Sequence, residues 1–203
     1  MCVLENGHMG QLYYGKRIHD KPDFSYLVEK CGRPMTSYIF EGDRSFSLEH
    51  IRQEYPVYGT TDYRHPAIEI MQENGSNISE FKYVGYEILK GKPSLKGLPA
   101  TYTESDEEAT SLDITLHDSV MDTDLVLTYS VYEDYPVVTR SARLVQKGDQ
   151  KIRLENVMSA AVEFPDMDYE MIHLSGAWAR ERYVKTRKLE MGIQACLLYT
   201  SPS

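Results

Sequence analysis

A chain of 203 residues that is 41% hydrophobic and 26% charged has the apolar material for a packed core, which sets it apart from disordered proteins. Its 22 Lys and Arg stand against 31 Asp and Glu, and the net charge of −9 repels phosphate backbones and anionic lipid surfaces, so no nucleic acid and no membrane partner is expected. Three scattered cysteines, Cys2, Cys31 and Cys196, form neither a disulfide framework nor a zinc spacing, which fits a reducing, cytoplasmic setting.

In chain order, Met1-Cys2-Val3-Leu4 opens without a basic stretch before an apolar run, so no secretory leader is expected here. Glu5-Asn6-Gly7 is an Asn-Gly turn between apolar positions and predicts a hairpin. Residues 19–44 mix Pro22, Gly32, Pro34 and Gly42 with scattered aromatics, the pattern of an excursion from a sheet. Ser47 can cap a short helix over 48–54, which Pro56 would end; no other stretch reads as helical. A second Asn-Gly turn, Glu73-Asn74-Gly75, predicts a hairpin joining 67–71 to 78–83.

Residues 102–109 hold Asp106-Glu107-Glu108 and read as a solvated acidic turn. Beyond them Leu112, Ile114 and Leu116 alternate with Asp113 and Thr115. Leu125, Leu127, Tyr129 and Val131 then alternate with Val126, Thr128, Ser130 and Tyr132. Period two over this length puts one face in a core. Strands are predicted to continue over 137–145, turn at Lys147-Gly148-Asp149, resume over 151–164, and return over 171–174 before Ser175-Gly176. Sixteen Tyr against five Phe suit half-buried pleated surfaces, and the same rings can stack on sugars. The fold class that follows is all-β, an antiparallel β-sandwich with one short helix.

Reactive motifs are sparse. There is no G-x-S-x-G elbow, no Walker loop and no G-x-G-x-x-G, and the six His show no ligand spacing, so neither a metal nor another cofactor is expected. Asp118, Asp122 and Asp124 could offer oxygen to a hard cation, but they lack the Gly and later Glu of a calcium loop and read better as a hairpin tip. Asn74 and Asn77 match the glycosylation pattern and read as turn residues. A glycosidase carboxylate pair stands about 5–5.5 Å or 6.5–9.5 Å apart across a sugar, a spacing that sequence separation on a sandwich does not reveal.

Several ordered segments carry a family resemblance. Leu4-Glu5-Asn6-Gly7-His8-Met9-Gly10-Gln11-Leu12-Tyr13-Tyr14-Gly15-Lys16 resembles the opening of the N-terminal domain in glycoside hydrolase family 36. Glu54-Tyr55-Pro56-Val57-Tyr58-Gly59-Thr60-Thr61-Asp62-Tyr63-Arg64-His65-Pro66-Ala67 is similar to its next marked segment. Gly91-Lys92-Pro93, Gly97-Leu98-Pro99-Ala100-Thr101-Tyr102, Val138-Thr139-Arg140-Ser141 and Leu174-Ser175-Gly176-Ala177-Trp178-Ala179-Arg180-Glu181-Arg182 follow in order.

The resemblance implies an N-terminal β-supersandwich, here incomplete, ahead of a (β/α)₈ barrel and a small C-terminal β domain. It also implies hydrolysis of terminal α-galactosyl residues from melibiose- and raffinose-type sugars with retention, by two Asp on the barrel. No catalytic residue is therefore expected in this chain, and the piece alone should be inactive. Implied partners are an α-galactoside held by the full enzyme, the chain's own downstream barrel, and further subunits of a homo-oligomer. Asp62, Arg64, Trp178, Arg180 and Arg182 are the candidates for a substrate rim or a domain interface. Trp can form a platform for a pyranose and Arg can fork onto oxygen acceptors. The competing expectation is that the Arg side chains form structural ion pairs. Residues 195–203, Ala195-Cys196-Leu197-Leu198-Tyr199-Thr200-Ser201-Pro202-Ser203, resemble translated adapter sequence, which leaves 1–194 as the expected native domain. The alternative function is a stand-alone carbohydrate-binding or oligomerisation sandwich.

Overall fold

The computed structural model describes residues 1–31, Phe40, 42–59, 64–97, 100–165 and 168–190. They fall into two compact units that divide between Glu163 and Phe164. The first unit begins with β1 (Cys2–Val3) and β2 (Met9–Gly10), an antiparallel pair closed at the expected Asn-Gly turn. Gly7 supplies a φ of +86°, which only glycine adopts without strain, and the Leu4 N–H donates to the His8 carbonyl at 2.8 Å.

The main sheet is β4 (Lys82–Lys90), β5 (Ala109–Asp118), β6 (Thr123–Tyr132) and β7 (Val138–Gln146), antiparallel in that spatial order. The alternation read in the sequence sets its faces. Ile114 lies opposite Leu127 and Leu116 opposite Leu125, while Ala142 and Leu144 continue the same rows on β7. The Asp-rich tip between β5 and β6 is a brace. Buried Asp118 accepts the Val120, Met121 and Glu80 N–H groups at 2.9, 3.0 and 2.7 Å.

A second sheet pairs β3 (Ile68–Gln72) with β8 (Ile152–Val157). Ile68 and Ile70 are fully buried and share one core with Phe81, Ile114, Leu116, Leu125 and Leu127, so the two sheets form a sandwich. Burying a side chain of this size contributes about 1.5–3 kcal/mol. The core face of the larger sheet extends past this cover. Tyr86 and Ile88 on β4 lie opposite Ile114 and Leu112, yet each is 65% exposed, and Val131 and Val138 on the same face of β6 and β7 are also exposed.

Three expectations are corrected. First, 48–54 is not a helix. Ser47 makes the first turn, accepting the His50 N–H at its carbonyl (3.1 Å) and the Glu49 N–H at its hydroxyl (3.3 Å). Propagation fails because other partners hold the backbone: Gln53 N–H donates to the Glu163 carboxylate, Glu54 N–H to the Met9 carbonyl, and the Arg52 carbonyl accepts from Gln11. The helical turns among the described residues are short 3₁₀ pieces, Ser25–Leu27 and Asp106–Glu108. Second, the Asn74-Gly75 turn forms, with Gln72 N–H reaching the Ser76 carbonyl at 2.8 Å, but it joins no hairpin. β3 pairs with β8 in one sheet and β4 with β5 in the other. Third, the strand predicted over 151–164 stops at Val157.

The second unit is a hairpin of β9 (Glu170–Ala177) and β10 (Arg180–Lys188). β9 runs past Ser175-Gly176 to a tip at Trp178 and Ala179, where Ala179 takes φ +62°. The register shifts between Arg180 and Tyr183, and Arg182 within that shift has φ +64°. Gly176 is needed at its position, because a Cβ there would collide with the Arg180 carbonyl. β10 was not expected: Arg180-Glu181-Arg182-Tyr183-Val184-Lys185-Thr186-Arg187-Lys188 is exposed along its whole length, so it carries no alternation.

Candidate functional site

The five candidates separate into two places. Arg64 lies in the first unit and Trp178, Arg180 and Arg182 in the second, while Asp62 is outside the described residues. The Arg64 guanidinium is committed to structure. It forms an ion pair with the Glu163 carboxylate and donates to the Leu48 and Glu49 carbonyls at 2.6 and 3.2 Å. Glu163 in turn accepts the Gln53 N–H at 2.9 Å, and its own N–H donates to the Gln11 side chain at 2.9 Å. Segments 11, 48–53, 64 and 163 are thus tied at one point.

Trp178, Arg180 and Arg182 cluster at the hairpin tip, brought together by the turn and the register shift. Trp178 is 77% exposed and both Arg side chains are exposed. The tip presents an aromatic face and two guanidinium forks to solvent, an arrangement able to grip a sugar ring, a carboxylate or another protein surface.

Two ionic constellations escaped the sequence reading. Glu54, buried, accepts the Tyr129 hydroxyl at 2.8 Å and is ion-paired with Arg140, whose guanidinium lies 5.1 Å from the Tyr129 ring centroid. Burial, reinforced by the Glu54 charge and opposed by Arg140, pushes the Tyr129 hydroxyl well above its usual range. Tyr55, whose hydroxyl donates to the Met158 carbonyl, is pushed to about 12 by burial, with Arg140 opposing. The second group is His117, Asp124 and Lys147, with Asp124 bonded to the other two at 2.8 and 2.6 Å. Burial would raise Asp124, but the Lys147 and His117 contacts outweigh it and hold the carboxyl below its usual range. Glu54 and Arg140 both lie in segments that carried the resemblance; that was the available signal, without the knowledge that the two meet.

The carboxylates of Glu54, Asp118, Asp124 and Glu163 therefore close structural networks. Among the described residues no group of three or more His, Cys, Asp or Glu is placed to hold a metal ion, and no helix is long and apolar enough to cross a membrane.

Fold and site together define an antiparallel β-sandwich module with an exposed Trp-Arg hairpin tip. The sequence of residues 7–197 matches the family model of the glycosyl hydrolase family 36 N-terminal domain, and the chain belongs to that family. It is 41% identical over 195 residues to α-galactosidase AgaA of Geobacillus stearothermophilus, covering 96% of this chain and 27% of AgaA. α-Galactosidase 1 of Pediococcus pentosaceus is 36% identical over 200 residues, with 95% and 26% covered. The crystal structure of AgaA superposes with a TM-score of 0.90. That of the α-galactosidase from Lactobacillus brevis gives 0.90 at 35% identity, covering 95% of this chain and 26% of that one. The chain thus spans about a quarter of the length of the relatives it matches.

Proposed function

We propose that this chain is the N-terminal sandwich of a retaining α-galactosidase that removes terminal α-galactosyl residues from melibiose- and raffinose-type sugars. The observation that carries the reading is 41% identity to an α-galactosidase sustained over 96% of the chain, with the same backbone at a TM-score of 0.90. The substrate class draws support from variants of that relative solved with raffinose and with stachyose. In this reading the retaining carboxylate pair, about 5–5.5 Å apart, stands on a downstream barrel, and residues 1–194 serve as scaffold. The family match ends at residue 197, close to the boundary at Gln194 beyond which this reading takes the tail 195–203 as foreign to the domain, and the assembled enzyme is a cytoplasmic homo-oligomer. Trp178, Arg180 and Arg182 contact the sugar rim or a neighbouring domain; Asp62 and Arg64 remain candidates for such a contact in their own segment, Arg64 acting through the segments it ties together.

The test is extension of the reading frame in the source DNA. A barrel-length sequence should follow Gln194, and its product should hydrolyse a chromogenic α-galactoside while residues 1–194 do not. Turnover by 1–194 alone would refute the scaffold role. A second reading, a stand-alone carbohydrate-binding or oligomerisation sandwich, is favoured by the exposure of Trp178 alone. Calorimetric binding of galactose or melibiose by 1–194 would select its carbohydrate-binding form.

A further inference from the structure

The face of the β4–β7 sheet turned away from the core carries a cleft of about 620 Å³, bordered by residues 92–96, Ala100 and Thr101. The strand register builds its floor. Asp113 lies opposite Thr128 and Thr128 opposite Ser141, while Arg143 follows two residues along β7 on the same face. Lys92 and Lys96 line the same cleft from the irregular segment beyond β4.

The hydrogen bonding of this cleft is unbalanced. The Thr128 hydroxyl donates to Asp113 at 2.6 Å. Arg143, exposed on its strand, and both lysines have no hydrogen bond or ion pair among the described residues. Arg140 also lines the cleft but is neutralised by Glu54, so three unpaired cations against one carboxylate leave two positive charges on a chain whose net charge is −9. Cations that outnumber the anions of a cleft repel one another, and a dianion that enters relieves this while accepting from the guanidinium fork. Asp113 keeps acceptor capacity and Ser141 offers a hydroxyl, the pair of functions that holds a polyol. Leu89 and Leu95 give the cleft apolar wall against which a ring can lie.

We propose that this cleft binds a phosphate monoester of a small polyol, a hexose phosphate in size. The phosphate sits among Arg143, Lys92 and Lys96, and the sugar hydroxyls meet Asp113 and Ser141. A phosphate monoester carries close to two negative charges at neutral pH, which matches the local excess. The inference concerns a face remote in register from the core side of the sheet and does not depend on the α-galactosidase reading.

The experiment is calorimetric titration of glucose 6-phosphate into the full 203-residue chain at low salt, with near-UV dichroism reporting the fold of every variant. The gluco configuration keeps the probe out of a galactose-specific pocket when the same titration is repeated on a longer protein. Expected is saturable binding with Kd below about 1 mM, weakened about tenfold or more by Arg143→Ala. Lys92→Ala, in an irregular segment, should weaken it as well and serves where the strand variant disturbs folding. Asp113→Asn should weaken the ester and leave inorganic phosphate unchanged. The proposal is overturned by no saturation at about 10 mM, by an unchanged Kd in both cation variants, or by glucose or inorganic phosphate binding as tightly as the ester.

Discussion

Arg140 on β7 and Glu54, 86 positions earlier, form an ion pair at the edge of the core, beneath the Tyr129 ring and hydroxyl. Their side chains are 17% and 5% exposed. Removing one partner of such a pair leaves a charge without compensation in a poorly solvated place. Arg140→Ala should cost about 3–5 kcal/mol in denaturant unfolding. The double change Arg140→Met with Glu54→Leu, which removes both charges, should cost less than that single one. A double variant as unstable as the sum of the singles would refute the account in terms of buried charge.

The Arg64 and hairpin-tip candidates predict opposite stability outcomes. Arg64→Lys loses the fork that reaches Glu163 and the Leu48 and Glu49 carbonyls together, and should cost about 1–3 kcal/mol. Trp178→Ala and Arg180→Ala touch exposed side chains and should shift unfolding by no more than about 0.5 kcal/mol. Midpoints from chemical denaturation of the three variants check this. A large loss for either tip variant would mean that the tip is packed rather than presented.

What the sequence revealed follows the range of its signals. Alternation at Leu112, Ile114 and Leu116 is local, and it placed β5 and its buried face correctly. The Asn-Gly dipeptides specify a chain reversal, and both reversals are present; at Asn74-Gly75 the dipeptide says nothing about partners, and Ile70 finds its own at Leu154. Ser47 gave a true first turn, but Met9, Gln11 and Glu163, distant in sequence, hold the backbone groups that a helix would use. β10 was invisible because a strand exposed on both faces has no reason to alternate. The same limit applies to the site: Glu54, Arg140 and Glu163 could be noticed singly, and only the fold shows which of them meet.

His8 makes stability depend on acidity. It is 4% exposed, and among the described residues neither ring nitrogen has a hydrogen-bond partner. Burial lowers its pKa from 6.5 to about 4, with Lys82 adding to the shift and Glu80 opposing it. Between those values the unfolded chain takes up a proton that the folded one refuses, so stability falls as pH drops from 6.5 towards 4. The loss from this group should total about 3 kcal/mol. Urea unfolding at several pH values across that window measures it, and His8→Met should remove this share of the slope. A wild-type profile that is flat across the window would contradict the assignment.

Tyr86 and Ile88 give the last prediction. Both belong to the core face of the main sheet, in the rows of Ile114 and Leu112, yet water reaches 65% of each. Val131 and Val138 expose further apolar surface on the same face of β6 and β7, and β4, which carries Tyr86 and Ile88, is an edge strand of the described sheet. Exposed apolar side chains on an edge strand invite association. The 203-residue chain should therefore sediment above monomer mass, more so as concentration rises. Ile88→Glu places a charge where the side chain is already solvated, so it should restore the monomer and leave the unfolding midpoint nearly unchanged. If Ile88→Glu unfolds the chain instead, the side chain is part of a closed core; if the unaltered chain is monomeric at every concentration, the bare face is not adhesive. The cleft that holds Arg143 lies on the opposite face of the same sheet, so association through Tyr86 and Ile88 would leave it open to ligand.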